Sequence, residues 1–188
     1  MALKSTIFKL ELEVSDINQN LYQTYSLTIA RHPSENDERM MVRILAFALH
    51  ADQALSFTKG LSSEDEPPLW KLDLTNHIET WIDQGQADED RIRKACNRAD
   101  QVFIYTYNQR SATVWWKQIK HKLTRFDNLT IIHLVDDISQ SLARLAQRNM
   151  QLQCTIQDDQ VLLGNSNECI TIEPVTWMKS NTTVNDPH

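Results

Sequence analysis

Apolar and polar residues alternate along the first part of the chain in the manner of β-strands. In residues 3–14 the alternate positions that include Phe8 and Leu12 form one face of such a strand, and residues 21–31 have a similar β-rich texture. The segment between them, 16–20, is mostly polar. This pattern predicts an antiparallel β-hairpin that turns near residues 16–20.

Helical spacing begins after the hairpin. Ser34 is a suitable N-cap, Asp37 stands three residues later, and apolar residues recur from Met41 at intervals of three and four up to about Ala51. Further helices are predicted at 88–99, 111–124 with Ser111 as the cap, and 137–148. Short strands are predicted at 54–58, 69–73, 78–84, 102–107, 129–135, 150–157, 160–164 and 168–174.

The order of these elements predicts an α/β (α+β) fold. Strands and helices alternate through the middle of the chain, and antiparallel runs lie at both ends, which favours a mixed sheet with helices packed against it. The last three strands form an antiparallel β-meander. We expect one domain over residues 1–178 and a disordered polar tail over residues 179–188.

Composition narrows the class of protein. The chain has 188 residues, a net charge of -6, and no apolar run long enough to span a bilayer. We expect no secretory signal, and therefore a cytoplasmic protein without membrane contact. Cys96, Cys154 and Cys169 are too widely spaced for a zinc or disulfide signature, so they are expected to be reduced core residues. Because the net negative charge disfavours binding to the phosphates of nucleic acid, any nucleic-acid site must be a local basic patch.

The strand at 78–84 and the helix after it carry the most plausible chemistry. Strict alternation places Glu79, Trp81 and Asp83 on one face of this strand, so two carboxylates could converge on a cation. Arg91 and Lys94 follow on the next helix. The segment therefore sets acids beside bases.

Several motifs together resemble one known family. They are Met1-Ala2-Leu3-Lys4, Ala30-Arg31-His32-Pro33-Ser34-Glu35, Glu38-Arg39-Met40-Met41, Asp65-Glu66-Pro67, Trp81-Ile82-Asp83-Gln84-Gly85, Arg91-Ile92-Arg93-Lys94-Ala95-Cys96, Thr106-Tyr107-Asn108 and Trp115-Trp116. The chain resembles the YaeQ family in these motifs, from its first residue to about Trp177. The resemblance implies a small bacterial cytoplasmic protein with no firmly established reaction.

The order helix, three strands, helix and strand over residues 34–107 also resembles the core of PD-(D/E)XK nucleases, so we expect a variant of that nuclease-like core. In this resemblance Asp83 takes the (D/E) position. Gly85 stands where the nuclease pattern has lysine, and Lys94 is the candidate substitute. Hydrolysis of a phosphodiester would then need Mg²⁺ or Mn²⁺ held by acids. The expected metal ligands are Asp83, Glu79 and Glu38.

Each of these residues also has an ordinary structural interpretation. Glu38 can be a first-turn acid favoured by the helix dipole, and Glu79 a solvated acid on a strand face, with Asp73 as the alternative second acid. Lys94 can belong to a solvated charge cluster. Arg91 can pair with a nearby aspartate for structural reasons, with Asp88 and Asp83 as the two candidates.

A second expected feature is an anion site formed by Arg91, Asn108 and Arg110. Asn108 ends a buried strand and Arg110 precedes a predicted helix N-terminus, a place that suits anions. The alternative is an ordinary turn at Asn108. The helix with Trp115 mixes aromatic and basic residues as nucleic-acid binders do, but its spacing is also that of an amphipathic helix with a core tryptophan.

Two functional hypotheses follow from these patterns. The first is a metal-dependent phosphodiesterase that acts on nucleic acid. The second is a catalytically inactive nuclease-fold protein that serves as a binding or regulatory module. The sequence does not indicate which protein, if any, is a partner. Geometry separates the two hypotheses, because hydrolysis requires Asp83, Glu38 and a further carboxylate to reach one point, whereas acids locked in pairs with arginines favour binding.

Overall fold

The computed structural model describes residues 4–59, 65–135 and 137–181, which contain eleven strands and four helices. The strands are β1 (Thr6–Asp16), β2 (Leu21–Arg31), β3 (Leu55–Phe57), β4 (Leu69–Leu72), β5 (Ile78–Gln84), β6 (Ala99–Thr106), β7 (Leu129–His133), β8 (Asn149–Gln157), β9 (Gln160–Gly164), β10 (Cys169–Ile172) and β11 (Val175–Met178). The helices are α1 (Asp37–Leu49), α2 (Glu89–Arg98), α3 (Gln109–Leu123) and α4 (Ile138–Ala143).

The two ends of the chain meet in one five-stranded sheet with the order β10-β9-β8-β1-β2. The predicted hairpin is confirmed as the antiparallel pair β1–β2, and the predicted meander as β8, β9 and β10. Strand β1 pairs in parallel with β8, from Lys9 opposite Asn149 to Asp16 opposite Ile156. This long-range pairing makes the sheet mixed rather than purely antiparallel.

The middle of the chain forms a second sheet with the order β11-β7-β6-β5-β4-β3. Strands β5, β6 and β7 are parallel neighbours, and α2 and α3 connect them. The predicted α/β (α+β) class with mixed strand directions and packed helices is therefore confirmed, but with two sheets instead of one. Because β5 and β6 are parallel, their carboxyl ends lie at one edge, and α2 and α3 begin beyond that edge.

Helix α1 lies between the two sheets. Its residues from Met40 to Ala48 are all buried, so the helix is covered on every side rather than along one stripe. The Phe47 ring contacts Tyr25 of β2 at 5.3 Å between centroids and Phe57 of β3 at the same distance. A second apolar core lies on the other side of the β5–β6–β7 sheet, where Trp81 packs with Ile92 of α2.

Three predicted helix boundaries were wrong. Asn36 rather than Ser34 caps α1, and its side chain accepts a hydrogen bond from the backbone N–H of Arg39 at 2.8 Å. Asn108 rather than Ser111 caps α3, with a left-handed φ of 65°. Helix α4 spans six residues, shorter than the predicted 137–148. Because several residue types cap helices about equally well, the sequence alone does not show which of several neighbouring residues is the N-cap.

The last described residues are held against the second sheet. Strand β11 pairs with β7, and beyond it the backbone N–H groups of Ser180 and Asn181 donate to Thr130 Oγ1 and to the Asp127 carbonyl. Of the tail predicted at 179–188, residues 182–188 lie outside the described residues. None of the described helices combines the length and apolar character needed to cross a membrane.

The cysteines are free thiols in three environments. Cys154 is buried and Cys96 is half-buried, as expected of core residues, and burial raises the pKa of each thiol to about 12. Cys169 is exposed, so the core prediction was wrong for this residue. It occupies an outward position of β10, whose inward positions carry Ile170 and Ile172.

Candidate functional site

A cleft of about 600 Å³ opens where β5 and β6 end. The three N-cap residues Asn36, Asp88 and Asn108 all line this cleft, so α1, α2 and α3 begin at its walls. The first turn of each helix has backbone N–H groups that lack intrahelical acceptors, and the helix dipole makes this end positive. Three helix N-termini therefore meet at one cleft, although each cap side chain accepts one of these N–H groups and the acids in the first turns of α1 and α2 offset part of the positive charge.

Asp83 lies at the cleft and is only 4% exposed. Its Oδ2 accepts a hydrogen bond from Arg91 Nε at 2.5 Å, and its Oδ1 accepts one from the Gln84 backbone N–H at 3.0 Å. Arg91 Nη2 also donates to the Glu66 carbonyl at 3.2 Å. Of the two candidate partners for the Arg91 side chain, Asp83 is the one it pairs with. This ion pair neutralises the carboxylate that the sequence assigns to a metal.

Glu38 lines the same cleft from the first turn of α1. Its Oε1 accepts a hydrogen bond from the Ser139 hydroxyl of α4, a residue that is itself buried. Asp83 and Glu38 are thus brought to one cleft as predicted, but each carboxylate already has a protein partner.

Glu79 lies outside this cleft because β5 contains a bulge. Lys71 of β4 pairs with Thr80, and Leu72 pairs with Ile78, so Glu79 is the extra residue between them. Alternation breaks here, and the predicted common face of Glu79 and Asp83 was wrong. The Glu79 carboxylate pairs with Lys71 Nζ at 3.1 Å. The alternative acid, Asp73, accepts hydrogen bonds within the β4–β5 turn, from the backbone N–H groups of Thr75 and His77 among others.

Lys94 also lies apart from the cleft. Its ammonium group forms an ion pair with Asp65, whose backbone carbonyl accepts a hydrogen bond from Arg98 Nη1 at 2.7 Å. The hydrogen bond from Lys94 lowers the pKa of Asp65. This arrangement is the surface charge cluster that the structural interpretation predicted. The expected phosphate-binding lysine of the cleft is therefore not Lys94.

The expected anion residues divide between two neighbouring surfaces. Arg91 and Asn108 line the cleft, while Arg110 lines a shallow groove beside it. The Asn108 side chain accepts a hydrogen bond from the Ser111 backbone N–H at 3.5 Å, so Asn108 is both the cap of α3 and part of the cleft wall. Asn108 can therefore belong to an ordinary capping turn and also line a binding site.

Sequence analysis missed Arg39 as a residue of the cleft. A Cβ placed on Gly85 would lie 3.4 Å from Arg39 Nη1, so this guanidinium stands beside the position where the nuclease pattern has lysine. The side chain also hydrogen-bonds Tyr107, and its Nε is buried without a hydrogen-bond partner among the described residues. Burial raises the pKa of Tyr107, and the nearby Arg39 opposes that shift.

Gln84 is the second residue that sequence analysis missed. It lines the cleft and is 5% exposed, and neither its Oε1 nor its Nε2 has a hydrogen-bond partner among the described residues. Buried amides of this kind are uncommon, because an unpaired buried polar group costs about 1–3 kcal/mol. The sequence did carry a signal for both residues. Gln84 follows Asp83 in the motif Trp81-Ile82-Asp83-Gln84-Gly85, and Arg39 follows Glu38 in the motif Glu38-Arg39-Met40-Met41.

The cleft does not fit the expected Mg²⁺ or Mn²⁺ site. Mg²⁺ is usually held by one or two carboxylates together with water and substrate phosphates, so those carboxylates must not be engaged by another cation. Among residues 4–59, 65–135 and 137–181, no group of three or more His, Cys, Asp or Glu side chains is arranged to hold a metal ion. Asp83 is paired with Arg91, and Glu79 is elsewhere. The cleft lining thus combines the acids Glu38, Asp83 and Asp88 with the guanidinium groups of Arg39 and Arg91, and the Asp83 carboxylate is already engaged by Arg91.

Comparison with known proteins places these features in a family. The family model described as YaeQ protein matches residues 1–174. The uncharacterized protein YaeQ of Salmonella typhi is 43% identical over 179 residues, which cover 95% of this chain and 99% of that protein. The protein of the same name from Escherichia coli strain K12 is 42% identical over the same length and coverage.

Two solved structures are similar over most of the fold. The crystal structure of a YaeQ protein from Xanthomonas axonopodis pv. citri has a TM-score of 0.89 and 42% identity, and the match covers 92% of this chain and 98% of that one. A YaeQ protein from Pseudomonas syringae also has a TM-score of 0.89, with 30% identity and coverage of 95% and 98%.

Proposed function

The chain belongs to the YaeQ family, and from the chemistry of its own cleft we propose that it is a catalytically inactive binding module, with a variant PD-(D/E)XK nuclease-like fold, that holds the phosphate backbone of nucleic acid. The cytoplasmic location expected from the sequence is part of this proposal. The named relatives are uncharacterised proteins, so the argument rests on the residues of the cleft.

The ion pair between Asp83 and Arg91 is the observation that carries the proposal. Hydrolysis with a metal ion would need the Asp83 carboxylate available, yet Arg91 Nε approaches it to 2.5 Å and the acid is almost fully buried. Breaking such a buried pair costs several kcal/mol. Asp83 therefore serves to hold Arg91 at the cleft.

Binding of phosphate needs a positive group at the cleft, and Arg39 beside Gly85 provides it, since Asp83 balances the charge of Arg91. The three helix N-termini add the backbone N–H donors that their cap side chains leave free. Guanidinium groups and helix N-termini are common phosphate contacts in nucleic-acid complexes. Because the whole chain has a net charge of -6, attraction is confined to this local surface.

Arg39→Gln tests the proposal by fluorescence anisotropy with short labelled DNA at low salt. We expect wild type to bind and Arg39→Gln to bind at least about tenfold more weakly, since a hydrogen bond to a charged group contributes roughly 1.5–3 kcal/mol. Arg93→Gln is the matched control, because Arg93 is an exposed helix arginine paired with Asp90. Absence of wild-type binding, or an equal loss in both variants, would contradict the proposal.

A metal-dependent phosphodiesterase is the second candidate function, and one observation favours it: Glu38 and Asp83 line the same cleft. Incubation of labelled DNA with Mg²⁺ or Mn²⁺ separates the two candidates, together with calorimetric titration of Mn²⁺. Cleavage and Mn²⁺ binding that are both lost in Asp83→Asn would replace the binding module with the hydrolase. Binding of DNA without cleavage or metal uptake supports the module.

A further inference from the structure

A shallow groove of about 440 Å³ continues from the cleft along the first turns of α3. Gln86, Asn108 and Ser111 line both the cleft and this groove. Because the two surfaces share three residues, they are continuous, and a ligand longer than the cleft can extend into the groove. The groove therefore extends the site already described.

The chemistry of the groove differs from that of the cleft. Its apolar surface comes from Val114, which is 53% exposed, and from the half-buried Trp115. The indole N–H of Trp115 donates to the Ala87 carbonyl at 2.8 Å, which fixes the ring. Arg110 and Gln118 are the further polar side chains of the groove. An apolar surface with a fixed aromatic ring and a few hydrogen-bonding groups suits a flat, partly polar ligand.

From this continuity we propose that the groove along Val114 and Trp115 holds an unpaired nucleobase of the strand whose phosphate lies in the cleft. This inference rests on the proposed function and specifies the ligand class as single-stranded nucleic acid. Bases in a duplex are paired and stacked inside, so only an unpaired base can lay its face against a protein side chain. Apolar and aromatic contacts accept any base, because every base has a π-face.

The test compares a labelled single strand with a duplex of the same sequence, by anisotropy, for wild type and Val114→Glu. We expect wild type to prefer the single strand and Val114→Glu to bind the single strand about tenfold more weakly, with little change for the duplex. Simple charge repulsion would weaken both ligands alike, so a loss for both overturns the inference.

Val175→Glu is the matched control. Val175 is an exposed valine, 42% accessible, in β11 at the edge of the sheet, and it receives the same substitution without lying in the groove. Its single-strand affinity should equal that of wild type. If wild type binds both ligands equally and Val114→Glu changes neither, the groove inference fails while the proposed function stands. If wild type binds neither ligand, the proposed function fails as well.

Discussion

The buried ion pair between Glu35 and Arg43 offers the clearest test of how α1 is held. Glu35 Oε2 and Arg43 Nη2 are 2.9 Å apart, and the two side chains are 4% and 2% exposed. Replacement of Arg43 by methionine keeps a long apolar side chain but leaves the carboxylate buried without its main partner. Removal of one member of such a pair costs about 3–5 kcal/mol. A domain of ordinary stability, about 5–15 kcal/mol, would lose a large share of it.

The pH dependence of this variant sharpens the test. In wild type, burial raises the pKa of Glu35, and Arg43 is the strongest of the charges that oppose the shift. Without Arg43 the folded-state pKa rises further above its unfolded value. A carboxyl with a raised folded pKa binds more protons when folded, so the destabilisation is small below the unfolded pKa near 4.5 and grows as the pH rises through the folded pKa.

Urea unfolding followed by the fluorescence of the five tryptophans measures both effects. We expect Arg43→Met to lose about 3–5 kcal/mol at neutral pH and clearly less near pH 5. The double variant Glu35→Gln with Arg43→Met should be more stable than Arg43→Met alone, since no charge is then buried. A neutral-pH loss below about 1 kcal/mol, or equal losses at both pH values, would refute the reasoning.

Three further predictions concern single residues. Burial lowers the pKa of His50 to about 4, so the unfolded chain binds more protons than the folded chain between pH 4 and 6.5. The free energy of unfolding, measured by urea titration, should therefore fall by about 1 kcal/mol from pH 7.5 to 5.5. His50→Gln should reduce this pH dependence, whereas His121→Gln, a control at an exposed histidine, should keep it. Gly164→Ala should lose about 2–3 kcal/mol of unfolding free energy, because its Cβ would lie 2.2 Å from the Glu168 carbonyl oxygen, and an unchanged melting temperature would contradict this. Asn36→Ala should lose about 1 kcal/mol by removal of the α1 cap, and Asn36→Asp should restore it in the same melt.

Local patterns predicted most of the elements but not their assembly. The hairpin, β5 and the meander follow from alternation and turn residues, which act within a few positions. The parallel pair β1–β8 joins residues about 140 positions apart, from Lys9 opposite Asn149. No local pattern encodes this contact, because both edge strands of the hairpin, and both edge strands of the meander, present similar unpaired backbone N–H and C=O groups. This is why one sheet was expected where two are present.

The candidate site was predicted in part for the same physical reason. Asp83, Glu38, Arg91 and Asn108 lie together because they stand at the ends of elements that the parallel topology brings to one edge. Glu79 was misplaced by a one-residue bulge, which strict alternation cannot anticipate. Lys94 was proposed because it lies on the helix after β5, and Arg110 because it precedes a predicted helix N-terminus, whereas the direction of each side chain depends on the rotation of its helix.

The glycine at position 85 shows how a departure from a motif is understood once the backbone is known. Gly85 has φ 86°, a left-handed conformation that side-chain-bearing residues rarely adopt, so a lysine there would be strained. A side chain would also point at Arg39 Nη1, 3.4 Å from the Cβ position. The chain turns sharply at the end of β5, and the positive charge at this point comes from α1. Arg39 of α1, which lies between the two sheets, therefore places a cation beside the strand position where the resemblance to nucleases leads one to expect a lysine.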